Sequence, residues 1–270
     1  MKLGLVILAN RTEPAEFARR LSDAAESAGH TVVGDETTAR LLGRPVEPGD
    51  PDLMVASGGD GTVLSAVRKA LLLDIPVLAF NLGTIGFLAD AEPEDLDRVI
   101  AALTEGGLVE RKRMTIQAHL GGGPGASGIN DVVVEKIHSQ RLVSLSVAVD
   151  GEDFLVYRAD GLVAATSTGS TAYNFSAGGP LVDPLIEALM LTPVASHSLF
   201  NRTLVLPPDA RISIKVVANR PVRVSVDGVE TGTLVEGGTV EVMRGERPAR
   251  FLALDPASFP ATVKRKFRLA

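Results

Sequence analysis

The chain has 270 residues, 45% hydrophobic and 22% charged, and its 27 Lys and Arg against 33 Asp and Glu leave a formal charge of −6. That length gives room for about two domains and a core that needs no staple, and the acidic balance argues against a general electrostatic grip on nucleic acid or anionic lipid. The absence of cysteine excludes disulfide scaffolds, thiolate zinc sites, iron–sulfur clusters and a thiol nucleophile.

The first hundred or so residues alternate strand and helix patterns. Leu3 to Ala9 is a continuous apolar run, as expected of a strand buried on both faces, and Met1 to Asn10 lacks the small-residue cleavage pattern of a signal peptide. Pro14 to Ala28 reads as an amphipathic helix stopped by Gly29. Strands follow at Thr31–Val33, Leu53–Ser57 and Val77–Phe80, and helices at Val63–Leu73 and Glu94–Leu103. Such alternation implies a parallel, Rossmann-like sheet with helices on its faces.

Near Arg111 the pattern changes. Short runs rich in Val, Ile, Leu and Thr now predominate, at Ile129–Glu135, Leu142–Val149, Leu162–Ala165, Leu204–Leu206, Ile212–Val217 and Val222–Val226. Asp150-Gly151, Asp227-Gly228 and Gly237-Gly238 mark turns between them. The expectation is an α/β domain over residues 1–111 and an all-β antiparallel sandwich over 112–250. One helix is expected within the sandwich around Pro184–Leu191, and the stretch from Phe251 to the end returns to the first domain. No apolar run approaches the ~20 residues of a membrane span.

Four motifs can carry chemistry. Ser57-Gly58-Gly59-Asp60-Gly61-Thr62 lies between a buried strand and a helix, at the carboxyl edge where open parallel sheets bind ligands. Its glycines allow positive φ and a bare backbone, and the helix start suits phosphate. A carboxylate repels phosphate, so Asp60 makes chemical sense if it orients a hydroxyl, takes its proton, or reaches phosphate through a metal ion; the plain alternative is a helix cap in a tight turn. Asn81-Leu82-Gly83-Thr84-Ile85-Gly86-Phe87-Leu88 follows the next strand and belongs on the same edge; alone it reads as a structural loop. Asp160-Gly161, then the hydroxyl-rich run Ser167-Thr168-Gly169-Ser170-Thr171 before Ala172 and Tyr173, suggests recognition of a sugar, phosphate or amide, or a Ser/Thr-rich turn. Asn130-Asp131 opens a strand, as a turn or as a binder of ribose hydroxyls. The chain has no Walker P-loop sequence, no G-x-G-x-x-G after the first strand and no G-x-S-x-G elbow. The tail Lys264-Arg265-Lys266-Phe267-Arg268 reads most simply as a solvated end.

Taken together and in order, these motifs resemble the NAD kinase family. Gly58-Gly59-Asp60-Gly61-Thr62 matches its G-G-D-G-T, Asn81 to Leu88 its N-x-G-x-x-G-F-L, Asn130-Asp131 its N-E pair and Asp160-Gly161 its D-G. Thr168 to Tyr173 matches its T-G-S-T-A-Y, while Ser196-His197-Ser198-Leu199 and Asp227-Gly228 fit later elements. The resemblance implies phosphoryl transfer from ATP, or another donor such as polyphosphate, to the 2′-hydroxyl of the adenosine ribose of NAD, giving NADP. By this likeness Asp60 accepts the hydroxyl proton and Gly61 lets the backbone close on the ligand. Asn130 and Asp131 bind ribose and nearby polar groups, and Asp160 accepts from the nicotinamide amide. Thr171, Ala172, Tyr173 and Ser176, in a run that includes Asn174 and Phe175, line the adenine and ribose pocket, with Ala195 near the nicotinamide end. Arg158 partners a phosphate or a neighbouring subunit's ligand. The likeness also implies a divalent ion, Mg²⁺, travelling with the donor, a homodimer or homotetramer, and a cytoplasmic enzyme with no nucleic-acid or membrane partner. The chain departs from the family at Asp131, where Glu is usual, at Ser167, where Pro is usual, and at Ser65, often basic in bacterial members. Two rivals remain on this reading: a lipid kinase sharing the glycine loop, and a non-catalytic sensor of NAD(H) or NADP(H).

Overall fold

The computed structural model of the chain describes residues 1–7, 12–82, 86–138, 141–217, 220–254 and 258–269. The chain divides into two compact units, Met1–Lys112 with Ala249–Ala270, and Arg113–Pro248.

The first unit runs β1 (Lys2–Ile7), α1 (Thr12–Ser27), β2 (Thr31–Val33), α2 (Glu36–Leu42), β3 (Leu53–Gly58), α3 (Asp60–Leu73), β4 (Val77–Asn81), α4 (Leu96–Glu105) and β5 (Val109–Arg113). Helix α2 goes beyond the sequence expectation although it carries both end signals. Asp35 accepts from the N–H groups of Thr37 and Thr38, and Gly43 closes the helix at φ 72°. Alternation sorts the strand side chains onto two faces. Leu3, Leu5, Leu53, Val55, Leu78 and Phe80 pack with Phe17 and Leu21 of α1 and Val99 and Ile100 of α4. The Phe17 and Phe80 rings stand 5.0 Å apart.

The second unit holds β6 (Ile116–Leu120), β7 (Ala126–Gly128), β8 (Asp131–Lys136), β9 (Val143–Val149), β10 (Glu152–Ala159), β11 (Gly161–Thr166), the short α5 (Tyr173–Ser176), β12 (Leu189–Val194), β13 (Leu204–Leu206), β14 (Ile212–Val216), β15 (Val222–Val226), β16 (Val229–Leu234) and β17 (Thr239–Arg244). These strands form two six-stranded sheets, ordered β10-β9-β14-β17-β6-β7 and β13-β12-β11-β8-β15-β16, with antiparallel neighbours throughout. Their inner faces share one core that includes Val132, Val134, Leu145, Tyr157, Leu162, Leu191, Ile212, Val224 and Val242. Two hairpins close through left-handed pairs, Asp150 (φ 51°) with Gly151 (φ 83°) and Asp227 (φ 47°) with Gly228 (φ 74°), the turn that Asp-Gly favours.

The expected helix at Pro184–Leu191 is not formed. Residues 184–188 are turn and irregular chain, and Leu189 begins strand β12. Leu189, Met190 and Leu191 are each fully buried: β12 pairs with β11 and β13, Leu189 and Leu191 join the inner core, and Met190 packs with Val133, Val163 and Ala165. Leu, Met, Ala and Glu favour helix locally, but the run is short, and pairing with two neighbours outweighs propensity.

The chain then returns to the first unit with β18 (Ala249–Ala253) and α6 (Phe259–Phe267). Its sheet is ordered β2-β1-β3-β4-β18-β5 and is parallel from β2 through β18.

Candidate active site

In the first unit, Asp60 is the opening residue of α3 and Gly59 is its cap, so the carboxylate sits where the helix dipole favours negative charge. The segment after β4 folds onto it. The Phe87 N–H donates to Asp60 Oδ2 at 3.1 Å and the Leu88 N–H to Oδ1 at 3.2 Å. Gly86 makes this approach possible, since a Cβ there would lie 2.2 Å from Asp60 Oδ1. The two motifs read separately in the sequence are therefore joined through one carboxylate. Gly83, Thr84 and Ile85 of the second motif lie outside the described residues.

The glycines beside Asp60 keep the backbone bare, as expected, but without the positive φ that was also expected of them. Gly59 has φ −86°, and a Cβ on Gly59 or Gly61 would meet nothing within 4 Å. They supply bare, open backbone next to a helix start rather than a left-handed turn. Two buried polar atoms at the carboxyl ends of β3 and β4, Ser57 Oγ and Asn81 Oδ1, have no hydrogen-bond partner among the described residues. Such atoms are costly to bury dry, so they mark a polar site beside Asp60. Sequence reading placed both in motifs without giving either a role. Ser65 turns its hydroxyl onto the Gly61 carbonyl at 3.1 Å.

The basic tail is not a simple solvated end. It forms the last turn of α6. The Phe267 ring packs on Phe87 with centroids 6.3 Å apart, Lys266 Nζ stands 5.1 Å from that ring, and Arg265 lies 3.8 Å from Glu92. Glu92 in turn accepts from Asn81 Nδ2 at 3.2 Å. The C-terminal helix thus braces the segment that grips Asp60.

In the second unit, the outer face of the β8–β11–β12 layer carries a small apolar group, Val133, Val163, Ala165 and Met190. Asp131 opens β8 two residues before Val133, and period-two alternation puts it on the same face. The hydroxyl-rich run crosses from β11 into α5 beside it. Gly169 has no room for a side chain, because a Cβ would stand 2.0 Å from the Asn130 carbonyl oxygen. That approach ties the run to Asn130-Asp131. Asn130 Oδ1, Ser167 Oγ and Thr168 Oγ1 are buried without partners among the described residues. Ser167 and Thr168 are thus additions to the expected set, and density of hydroxyls was the sequence signal for them.

Asp131 is 5% exposed. Burial, then the negative charge of Asp227, push its carboxyl up from 3.8 to about 7, against the opposing N–H of Tyr173. Tyr173 is raised by burial and then by Glu135, Asp160 and Asp131. Its phenol therefore lies in a field of carboxylates suited to accept from hydroxyls and amides. Asp160 forms an ion pair with Lys136 at the end of β8, a partner no motif signalled. The Asp160 N–H donates to Val194 O at 2.9 Å, which brings it near Ala195, itself exposed and left-handed at φ 47°. Arg158 is exposed on β10, and its carbonyl accepts from the His197 N–H at 2.8 Å. Thr171 and Ala172 are half-buried, and Tyr173, Phe175 and Ser176 are exposed around α5. Asn174 differs from these. It is fully buried, donates to Ser170 O and Pro180 O, and accepts from Thr192 Oγ1 at 2.6 Å. Its amide shapes the turn from within. Among the described residues no group of three or more His, Asp and Glu could hold a metal ion.

Bare backbone at a helix start suits a phosphate-bearing ligand, and a gripped carboxylate beside it suits a hydroxyl whose proton is to be held or taken. Comparison with known proteins makes the class specific. Residues 5–108 match the ATP-NAD kinase N-terminal domain and residues 129–254 the ATP-NAD kinase C-terminal domain. An NAD kinase of Nocardia farcinica is 38% identical over 99% of this chain and 83% of its own length, and one of Methanoregula boonei 34% identical over 99% of each. Yeast NADH kinase, solved in complex with NADH, matches with a TM-score of 0.90 at 26% identity, covering all of this chain and 88% of that one. The chain belongs to the NAD kinase family and is an NAD kinase, which sets aside the lipid-kinase and sensor alternatives.

Proposed function

We propose that Asp60 is the general base of this kinase. It accepts the proton of the 2′-hydroxyl of the adenosine ribose of NAD as that oxygen bonds to the terminal phosphorus of ATP. The bond from that phosphorus to the bridging oxygen breaks, and NADP and ADP leave. The observation that carries this reading is the double amide grip on Asp60, which fixes one carboxylate beside open backbone while each oxygen keeps a lone pair for a hydroxyl. Phosphoryl transfer is mainly positioning and charge stabilisation, so a fixed acceptor with a helix start beside it is chemically sufficient for the chain's share. Gly61 keeps the approach open.

Asn130, Asp131, Asp160, Thr171, Ala172, Tyr173, Phe175, Ser176 and Ala195 serve NAD recognition on this reading, supported by the unpartnered atoms and carboxylates around Tyr173. Asn174 serves it indirectly, through the turn. Mg²⁺ would enter with the phosphates of the donor, whose oxygens are hard ligands suited to it. A homodimer or homotetramer is supported by Phe154, Val156 and Arg158, which share the outward face of edge strand β10, with Phe154 packed edge-on to Phe200 at 5.6 Å. A cytoplasmic location fits an enzyme whose substrates are NAD and a nucleoside triphosphate.

The test is Asp60→Asn, assayed for NADP with Mg²⁺ and either ATP or polyphosphate. Turnover should fall about 10²–10⁴-fold while the variant still folds and binds NAD; asparagine can accept from only one of the two amides, so a slightly lower melting temperature is expected. Full turnover in the variant would remove Asp60 from the chemistry.

A further inference from the structure

The Asp227-Gly228 turn has so far only a structural place, yet its carboxylate meets the proposed NAD-binding segment directly. Asp227 Oδ2 accepts from the Ile129 N–H at 2.9 Å, and Oδ1 accepts from Asn130 at 2.8 Å and Asp131 at 3.2 Å. The Asp227 N–H donates in return to the Asp131 carbonyl at 3.0 Å. Asp227 itself is left-handed at φ 47°, an arrangement the two-residue hairpin imposes. Gly128 leaves the space, since a Cβ there would lie 2.6 Å from the Asp227 carboxyl carbon.

The geometry points to Asp227 as a positioning residue for dinucleotide recognition: one carboxylate gathers three successive amides and so sets the direction in which Asn130 and Asp131 project. This rests on the NAD kinase reading of those two residues. A plain β-bulge or turn would not need a half-buried anion to collect three donors. The anion also has a chemical effect on its neighbour, because its charge is the second cause, after burial, that holds Asp131 protonated to about pH 7. The other charged or titratable groups on this face are Tyr173, Glu135 and Asp160, with Lys136 paired to Asp160. Strand β11 opposes Asp131 with the uncharged Ala165. Asp227 is therefore the anion whose removal eases ionisation of Asp131 directly.

The experiment measures KM for NAD, KM for ATP and kcat from pH 5.5 to 9 in the wild type, Asp227→Asn and Gly128→Ala. An asparagine keeps the shape but cannot accept with both terminal atoms. We expect KM for NAD to rise on the order of 10-fold in each variant, with KM for ATP unchanged and kcat within about 3-fold. The midpoint of the KM profile for NAD, near neutral pH in the wild type, should move to lower pH in Asp227→Asn alone. A wild type that makes no NADP would sink the kinase reading itself. A wild type that turns over normally, beside variants with unchanged KM and pH midpoint for NAD, would overturn this inference alone. So would failure of both variants to fold, since the proposed role is separable from folding.

Discussion

Asp131→Asn should make the protein more stable at pH 8 and almost unchanged at pH 4. Asp131 is an acid whose folded value, about 7, lies above its ordinary 3.8. Folding thus favours the protonated carboxyl. Below about pH 4 both folded and unfolded chains carry the proton, and there is no penalty. Between about 4 and 7 the unfolded chain ionises first, so stability is lost as pH rises; above 7 the loss is complete. A shift of this size corresponds to about 4 kcal/mol at full extent, reduced in practice by relaxation around an ionised Asp131. Asparagine keeps an oxygen to accept from the Tyr173 N–H and carries no charge against Asp227. The variant should gain ~2–4 kcal/mol at pH 8, seen as a melting temperature higher by on the order of 5–10 °C. The assay is thermal and urea denaturation of both proteins at pH 4.5, 6 and 8. A difference independent of pH, or one that shrinks toward pH 8, would refute the reasoning. The same variant should bind NAD less well at pH 8, which makes Asp131 a group held for binding at the expense of stability.

Gly86→Ala drives a methyl group into Asp60 Oδ1 and should lower kcat by ~10²-fold with little change in KM for NAD, measured by steady-state NADP formation. Ser167 already has φ −60°, and its buried hydroxyl has no partner among the described residues. Ser167→Pro should therefore gain ~0.4–1 kcal/mol in urea denaturation. Phe267→Ala removes the ring that packs on Phe87; it should cost ~1 kcal/mol and lower kcat several-fold, both read on the full chain.

Much of this enzyme was legible from local chemistry. Alternating apolar runs separated an α/β part from an antiparallel part, because period and turn residues act over a few residues. Asp227-Gly228 and Asp150-Gly151 declared their hairpins, since a paired left-handed turn admits few residue types. The loop around Asp60 could be recognised by its glycines and its acid. What stayed hidden depends on pairing across long stretches of chain. Leu189–Leu191 became a strand because β11 and β13 flank it, against its own helix-friendly composition. Asp60 meets Phe87 and Leu88 across 27 and 28 residues, and Asp227 meets Ile129 to Asp131 across 96 to 98. Local sequence names the groups that can act; burial and long-range hydrogen bonds decide which carboxylate is held as an acceptor and which is kept protonated, because both depend on neighbours that only the folded chain supplies.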